Sequence, residues 1–211
     1  ITRIEKNAFK NCTGLDDISI PSSCDVIEES AFQGCTDLDN VIIWGDTNIG
    51  NYAFQGCSSL EDISISSGTE YIGDYAFEGC TSLENVIMWG RSTRIGKNAF
   101  ANCPKLKRVV IPETVTEIGD NLFYGSTKNA VIYTSKGSAA DTYAQENSLT
   151  VKYFDELTAG DVCREISFVP ESIKCGELFE SMTKSGSQMT ALVDEYGGTA
   201  GIVTMEDLIE S

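Results

Sequence analysis

Ile72-Gly73-Asp74-Tyr75-Ala76-Phe77-Glu78-Gly79-Cys80-Thr81-Ser82-Leu83-Glu84-Asn85-Val86-Ile87-Met88 is one turn of a pattern that recurs along the chain. Its skeleton, I-G-x-x-A-F-x-x-C-x-x-L-x-x-[IV]-x-[IVM], lies on Phe9, Phe32, Phe54, Phe77, Phe100 and Phe123, spaced 23, 22, 23, 23 and 23 residues apart. Five positions before each Phe stands Ile4, Ile27, Ile49, Ile72, Ile95 or Ile118. Three positions after it stands Cys12, Cys35, Cys57, Cys80 or Cys103, with Ser126 ending the row. Leu15, Leu38, Leu60, Leu83 and Leu106 follow three further on. A fixed period of this size means a solenoid whose turns bury their apolar rows against one another. Within each unit L-x-x-[IV]-x-[IVM] alternates as a strand does, and a polar, glycine-bearing turn with a short helical or irregular return leads to each Ala-Phe pair.

The cysteine row predicts a ladder of buried thiols. Neighbouring rungs of a solenoid lie roughly 5 Å apart, which would permit disulfides on distance alone. The row's side chains point inward and parallel, however, and bridging needs converging vectors, so Cys acts here as a small hydrophobe. Cys24, Cys163 and Cys175 lie outside the row, with Cys24 at the position that is Val115 in the last unit. After the repeats, Asn129–Tyr133 reads as a last strand. Ser138 with Asp141 makes an S-x-x-D box opening a short helix through Tyr143, and Val151-Lys152-Tyr153 closes the edge.

This unit closely resembles the BspA-like leucine-rich repeats of bacterial surface proteins, over residues 1–153. The resemblance implies an α/β-class leucine-rich-repeat solenoid, a role in adhesion and protein binding, and no catalytic residues to carry over. If Ile18, Val41, Ile63, Val86 and Val109 face inward, their neighbours face outward on the concave side. One outward row is then Ser19, Ile42, Ser64, Ile87 and Val110; the next is Pro21, Trp44, Ser66, Trp89 and Pro112. Ile42, Trp44, Ile87, Trp89 and Val110 are therefore the candidate protein-binding residues, since exposed Trp and Ile in contiguous rows mark contact surfaces. A covering loop or self-association would account for the same rows. Charge is segregated too. Residues 11–90 hold fourteen Asp or Glu and no Lys or Arg, and Arg91, Arg94, Lys97, Lys105, Lys107 and Arg108 then cluster. This is either a solvated acidic flank or a field that steers a basic partner.

The period stops at 153. Residues 154–162 read as a linker, and 163–211 as a separate small α+β unit running strand, helix, strand, strand, helix. Ile166–Pro170 is extended; Cys175, Leu178, Phe179 and Met182 share one helix face. Thr190–Asp194 and Thr199–Val203 flank the Gly197-Gly198 turn, and Thr204 opens the final helix. Phe168-Val169-Pro170-Glu171-Ser172, Val193–Thr204 and Glu206-Asp207-Leu208 resemble the second CBS motif of CorC/HlyC/CNNM-type proteins. That resemblance implies a cytosolic, adenine-nucleotide-binding motif for ATP or AMP with magnesium, on the G-x-x-T-x-x-D signature Gly201, Thr204 and Asp207. It assigns the Thr204 hydroxyl to phosphate and the Asp207 carboxylate to ribose. T-x-x-D at a helix start is equally a capping box needing no ligand, and both readings stand on the sequence. A lone motif leaves Val169, Leu192, Val193, Ile202 and Val203 more than one helix can cover, so residues 163–211 are expected to pair as a homodimer.

Composition narrows the function classes. With 32 acidic and 15 basic residues the formal charge is −17, which speaks against nucleic acid as a partner. No apolar run is long enough to span a bilayer, so membrane insertion is not expected. Histidine is absent, removing Ser-His and Cys-His catalysis and paired-His zinc sites, and no phosphate-cradling glycine loop or calcium loop is present. The expectation is a non-enzymatic protein-interaction module with no metal site, with a cell-surface adhesin as the alternative. The two resemblances point to different places, the cell surface and the cytosol; unpaired thiols tilt toward the cytoplasm.

Overall fold

Every repeat contributes two strands and one long series of turns, and the strands stack in parallel from unit to unit. The computed structural model describes residues 1–89, 93–156, 167–170, 172–185, 189–193 and 199–204, in two compact units, Ile1–Glu156 and Leu157–Ser211. In the first unit, two-residue strands β1 (Arg3–Ile4), β3 (Val26–Ile27), β5 (Asn48–Ile49), β7 (Tyr71–Ile72), β9 (Arg94–Ile95) and β11 (Glu117–Ile118) form one sheet in that order. Longer strands form the second: β2 (Asp17–Ile20) with β4 (Asn40–Ile43), and β6 (Asp62–Ile65), β8 (Asn85–Met88), β10 (Arg108–Val110), β12 (Val131–Thr134) and β13 (Thr150–Tyr153) side by side. The ladder lapses between β4 and β6, beside the one 22-residue unit. Leu38 and Ile49 are a residue closer than the matching pair in other units, and the missing residue falls just after β4.

The core is a set of one-dimensional stacks. Phe9, Phe32, Phe54, Phe77 and Phe100 stack ring on ring with centroids 5.1–5.2 Å apart and nearly parallel planes. Phe123 continues the stack at 6.2 Å, and Tyr143 closes it edge-on. Each such ring pair adds about 0.5–1.5 kcal/mol beyond its buried area. Four of the five members of the expected thiol ladder, Cys35, Cys57, Cys80 and Cys103, are free and buried; Cys12, in the first turn, is exposed. Each buried thiol donates to the carbonyl of the Phe one turn back, Cys57 to Phe32 at 3.2 Å and Cys80 to Phe54 at 3.3 Å. Ser126 does the same to Phe100 at 2.8 Å. Burial pushes Cys57 and Cys103 up to about 12 and holds Cys80 well above its ordinary value, so these thiols stay protonated.

The returns are turns, not helices, and the backbone says why. Two residues before each Phe, from Asn7 to Asn121, φ lies between 54° and 59°. Two residues after it Gly34, Gly56 and Gly79, or Asn11 and Asn102, are left-handed again. A helix cannot run through two left-handed residues. Amide groups of the return instead bond the next turn, as Phe54 N–H does to Ala76 O at 2.8 Å and Phe77 N–H to Ala99 O at 2.8 Å. The glycine of the Ile-Gly step is fixed by close approach: a Cβ on Gly73 would stand 2.4 Å from the Asn51 amide nitrogen.

At the C-terminal end of the stack, α1 (Ala139–Glu146) runs past Tyr143. Ser138 caps it, accepting the Asp141 N–H at 3.0 Å. The reciprocal bond is displaced by one residue from a capping box, because the Asp141 carboxylate takes the Gly137 N–H at 2.8 Å. Gln145 and Tyr153 also donate to it, and Tyr143 Oη accepts the Leu122 N–H at 2.9 Å.

In the second unit, β14 (Ser167–Pro170), α2 (Cys175–Ser185), β15 (Met189–Val193) and β16 (Thr199–Thr204) follow in the expected order. β14 and β15 are parallel, joined across α2, and β16 runs antiparallel to β15 at the sheet's edge. On α2, Leu178 and Met182 are buried. Cys175 departs from the expected apolar face: it begins the helix and is exposed.

Candidate functional site

The long-strand sheet presents the candidate contact face, and its register follows from the repeat. Val41, Ile63, Val86 and Val109 are buried, so the intervening residues face outward. Ser19 pairs with Ile42, and Ser64, Ile87, Val110 and Tyr133 lie side by side across β6, β8, β10 and β12. Ile42, Ile87 and Val110 are half-buried there. The two tryptophans follow β4 and β8, each anchored by its backbone: Trp44 N–H donates to Ile20 O and Trp89 N–H to Ile65 O, both at 3.0 Å. Their exposure differs. Trp89 is 64% exposed, the largest apolar ring surface on this face, whereas Trp44 is half-buried.

Two features of this face escaped the residue reading although the period points to both. Continuing the outward row by 23 residues from Val110 gives Tyr133, whose ring is nearly buried between two cations, Arg108 at 5.4 Å and Lys152 at 6.0 Å. The adjacent row is Asp62, Asn85 and Arg108, with Asn85 Nδ2 donating to Asp62 at 2.6 Å. Charge on the face thus changes sign between β6 and β10. The basic cluster itself is dispersed: Lys107 pairs with Glu84, Lys97 with Asp74 and Arg94 with Glu117. Arg91 lies outside the described residues. A third row sits inside: Thr47, Thr69 and Thr93 donate in turn to Cys24 O, Thr47 O and Thr69 O at 2.7–3.0 Å. These occupy the position of Cys24 and Val115 and serve the core.

The short-strand sheet carries a shallow groove of about 770 Å³ bordered by Tyr71, Asp74, Arg94, Lys97 and Glu117. Four of its charges are paired within the wall, Arg94 with Glu117 and Lys97 with Asp74. Among the described residues no cluster of Cys, Asp and Glu could hold a metal ion, and no helix is long and apolar enough to cross a membrane.

The BspA-type leucine-rich-repeat region model matches residues 2–136, in six copies. The chain belongs to the BspA-type leucine-rich-repeat family. Solved structures at 27–30% identity share the solenoid. The pneumococcal vaccine antigen PcpA superposes with a TM-score of 0.57 at 27% identity, over 65% of this chain and 36% of that one. The leucine-rich-repeat protein of T. pallidum gives 0.52 at 30%, over 63% and 62%. A leucine-rich cell surface protein from Faecalibacterium prausnitzii gives 0.55 at 30%, over 64% and 36%. A second similarity is to a different set of proteins. The UPF0053 protein YugS of Bacillus subtilis is 51% identical over 54 residues, 26% of this chain and 13% of that protein. Hemolysin C of Brachyspira hyodysenteriae is 46% identical over 43 residues, 20% and 16%. The chain spans less than a sixth of the length of these curated relatives.

In the nucleotide signature, Gly201 lies within β16 opposite Leu192, and Thr204 ends that strand opposite Met189. Asp207 lies outside the described residues.

Proposed function

We propose that this BspA-type solenoid is a non-enzymatic protein-binding module whose contact surface is the outward face of the long-strand sheet, centred on Ile87 and Trp89. The observation that carries the reading is Trp89, 64% exposed directly after β8, whose Ile87 lies beside Val110 of β10. Large aromatic surface beside aliphatic surface on a rigid sheet loses little entropy on binding and anchors protein contacts. Peptides selected by display on the 211-residue chain test it: the ligands obtained are expected to bind Trp89→Ala at least tenfold more weakly. Ligands indifferent to Trp89, Ile87 and Val110 would remove the face from consideration.

The second unit we read as a CBS-like module that pairs with a second copy and holds an adenine nucleotide through Gly201, Thr204 and Asp207. Support comes from the UPF0053 similarity, a stretch as long as this unit, and from the order of its strands and helix. Titration with ATP and with AMP, each with magnesium, tests it, with the mass in solution followed alongside. Absence of binding and of thermal stabilisation leaves Thr204 and Asp207 as a helix cap. In the second reading, a cell-surface adhesin, the tail only dimerises; its support is the solenoid's likeness to a leucine-rich cell surface protein.

A further inference from the structure

The contact face carries opposite charges on the two strands that flank β8. β8 lies between β6 and β10. Asp62 on β6 and Arg108 on β10 share a row, one strand to either side of Asn85. In the next row Ser64 and Val110 stand to either side of Ile87. Asp62 is exposed, and Arg108 forms no salt bridge among the described residues. Between these opposite charges stand Ile87 and the exposed indole of Trp89.

From this arrangement we infer that the face docks against the same face of a second copy of the chain, about a twofold axis parallel to β8. This rests on the reading of the face as a contact surface and names its occupant. The operation reverses the order of strands and keeps each residue at its own height along them. Asp62 therefore meets Arg108 of the other copy, twice per pair; Ser64 meets Val110; Ile87 and Trp89 meet their own equivalents on the axis. A wholly basic partner would be opposed at the Arg108 end and a wholly acidic one at the Asp62 end, whereas an identical face reversed is matched at both. The chain's charge of −17 opposes self-association in general, so a contact between copies needs such paired opposite charges to fix its orientation. Centred on β8, the strands β4, β6, β8, β10 and β12, roughly 4.8 Å apart and about six residues deep, make a face of some 24 by 20 Å, so a pair buries on the order of 1,000 Å² in total. That is the lower end for specific interfaces, and the pairing is weak and concentration-dependent.

Site-specific cross-linking separates this pairing from any association through the second unit. In the 211-residue chain with Cys12, Cys163 and Cys175 replaced by Ser, Ile87→Cys sits on the axis, and a short bismaleimide is expected to join it to itself. Ser64→Cys lies off the axis and is expected to react at least tenfold more slowly with itself, yet to join Val110→Cys readily when the two proteins are mixed. In the Ile87→Cys background, Asp62→Arg or Arg108→Asp alone is expected to cut the yield at least tenfold, and the two together to restore it. Equal self-reaction of Ile87→Cys and Ser64→Cys, or failure of the double exchange to restore a folded protein's yield, overturns the inference. The peptide selection is a separate readout: Trp89-dependent ligands without self-cross-linking would keep the contact face and replace its occupant.

Discussion

Truncating Phe77 to alanine tests whether the solenoid is held by its ring stack. Phe77 is fully buried and lies between Phe54 and Phe100 at 5.2 Å on both sides. Its removal opens a cavity between turns whose backbones are pinned by hydrogen bonds, such as Phe77 N–H to Ala99 O at 2.8 Å, so little collapse can fill it. The expected loss is about 3–5 kcal/mol. Phe9 supplies the internal control. It has one ring neighbour, at 5.1 Å, and is 36% exposed, so its truncation should cost roughly 1–2 kcal/mol. The chain's two tryptophans, Trp44 and Trp89, both lie in the solenoid, so urea unfolding followed by tryptophan fluorescence reports on this unit alone. With a slope of about 2 kcal/mol per molar urea, Phe77→Ala should move the midpoint by at least ~1.5 M and Phe9→Ala by ~0.5–1 M. Equal shifts would refute the stack as the main source of stability, because the argument depends on the number of ring neighbours.

Gly96→Ala should destabilise by ~2 kcal/mol or more in the same assay, because its Cβ would lie 2.5 Å from the Asp74 nitrogen and 2.6 Å from Gly73 C; Gly14→Ala, with nothing within 4 Å, should be near neutral. A thiol reagent on the native chain should label Cys12 and Cys175, while Cys35, Cys57, Cys80 and Cys103 react only on unfolding; rapid native labelling of Cys80 would contradict the ladder. The Gly137 N–H, then Gln145 and Tyr153, hold the Asp141 carboxyl below its ordinary value near 3.8. Stability from this cap is therefore present above pH ~4 and lost as pH falls through the lowered value, and Asp141→Asn should flatten the acid limb of the stability profile.

How much of this was legible follows from the geometry of a solenoid. A period of 22–23 residues places chemically matching side chains one rung apart, so the Phe, Ile, Leu and Cys rows could be read without coordinates. The same period reaches Tyr133 from Val110 and Arg108 from Asp62, but the side chains in those rows differ in type, and the eye follows likeness. Conformation was less visible than packing. Tyr52 and Tyr75 take the left-handed angle that Asn7 and Asn98 take more easily, so residue type alone did not exclude a helical return. Exposure was the least visible, since Trp44 and Trp89 occupy equivalent positions and only Trp89 stands clear.

Likeness within a row also conceals a division of labour. Cys24, Thr47, Thr69, Thr93 and Val115 fill one buried slot with side chains of similar size. Each Thr hydroxyl satisfies a carbonyl one turn back, which packing alone does not require. Val115 can fill the slot but cannot donate, and it stands in the last of these turns. The Cys row ends the opposite way: its last member, Ser126, both donates to Phe100 O and accepts the Cys103 N–H at 2.8 Å. A core built this way constrains the inward rows through shape and backbone satisfaction together, turn after turn. The outward row is less constrained: Ser64 alternates there with half-buried Ile42 and Ile87, and Ser66, which bonds Asp46 and Thr69, stands where Trp44 and Trp89 stand in the neighbouring turns. Apolar residues on the outer side of the long-strand sheet, Trp89 above all, are the physical ground for assigning binding to that face.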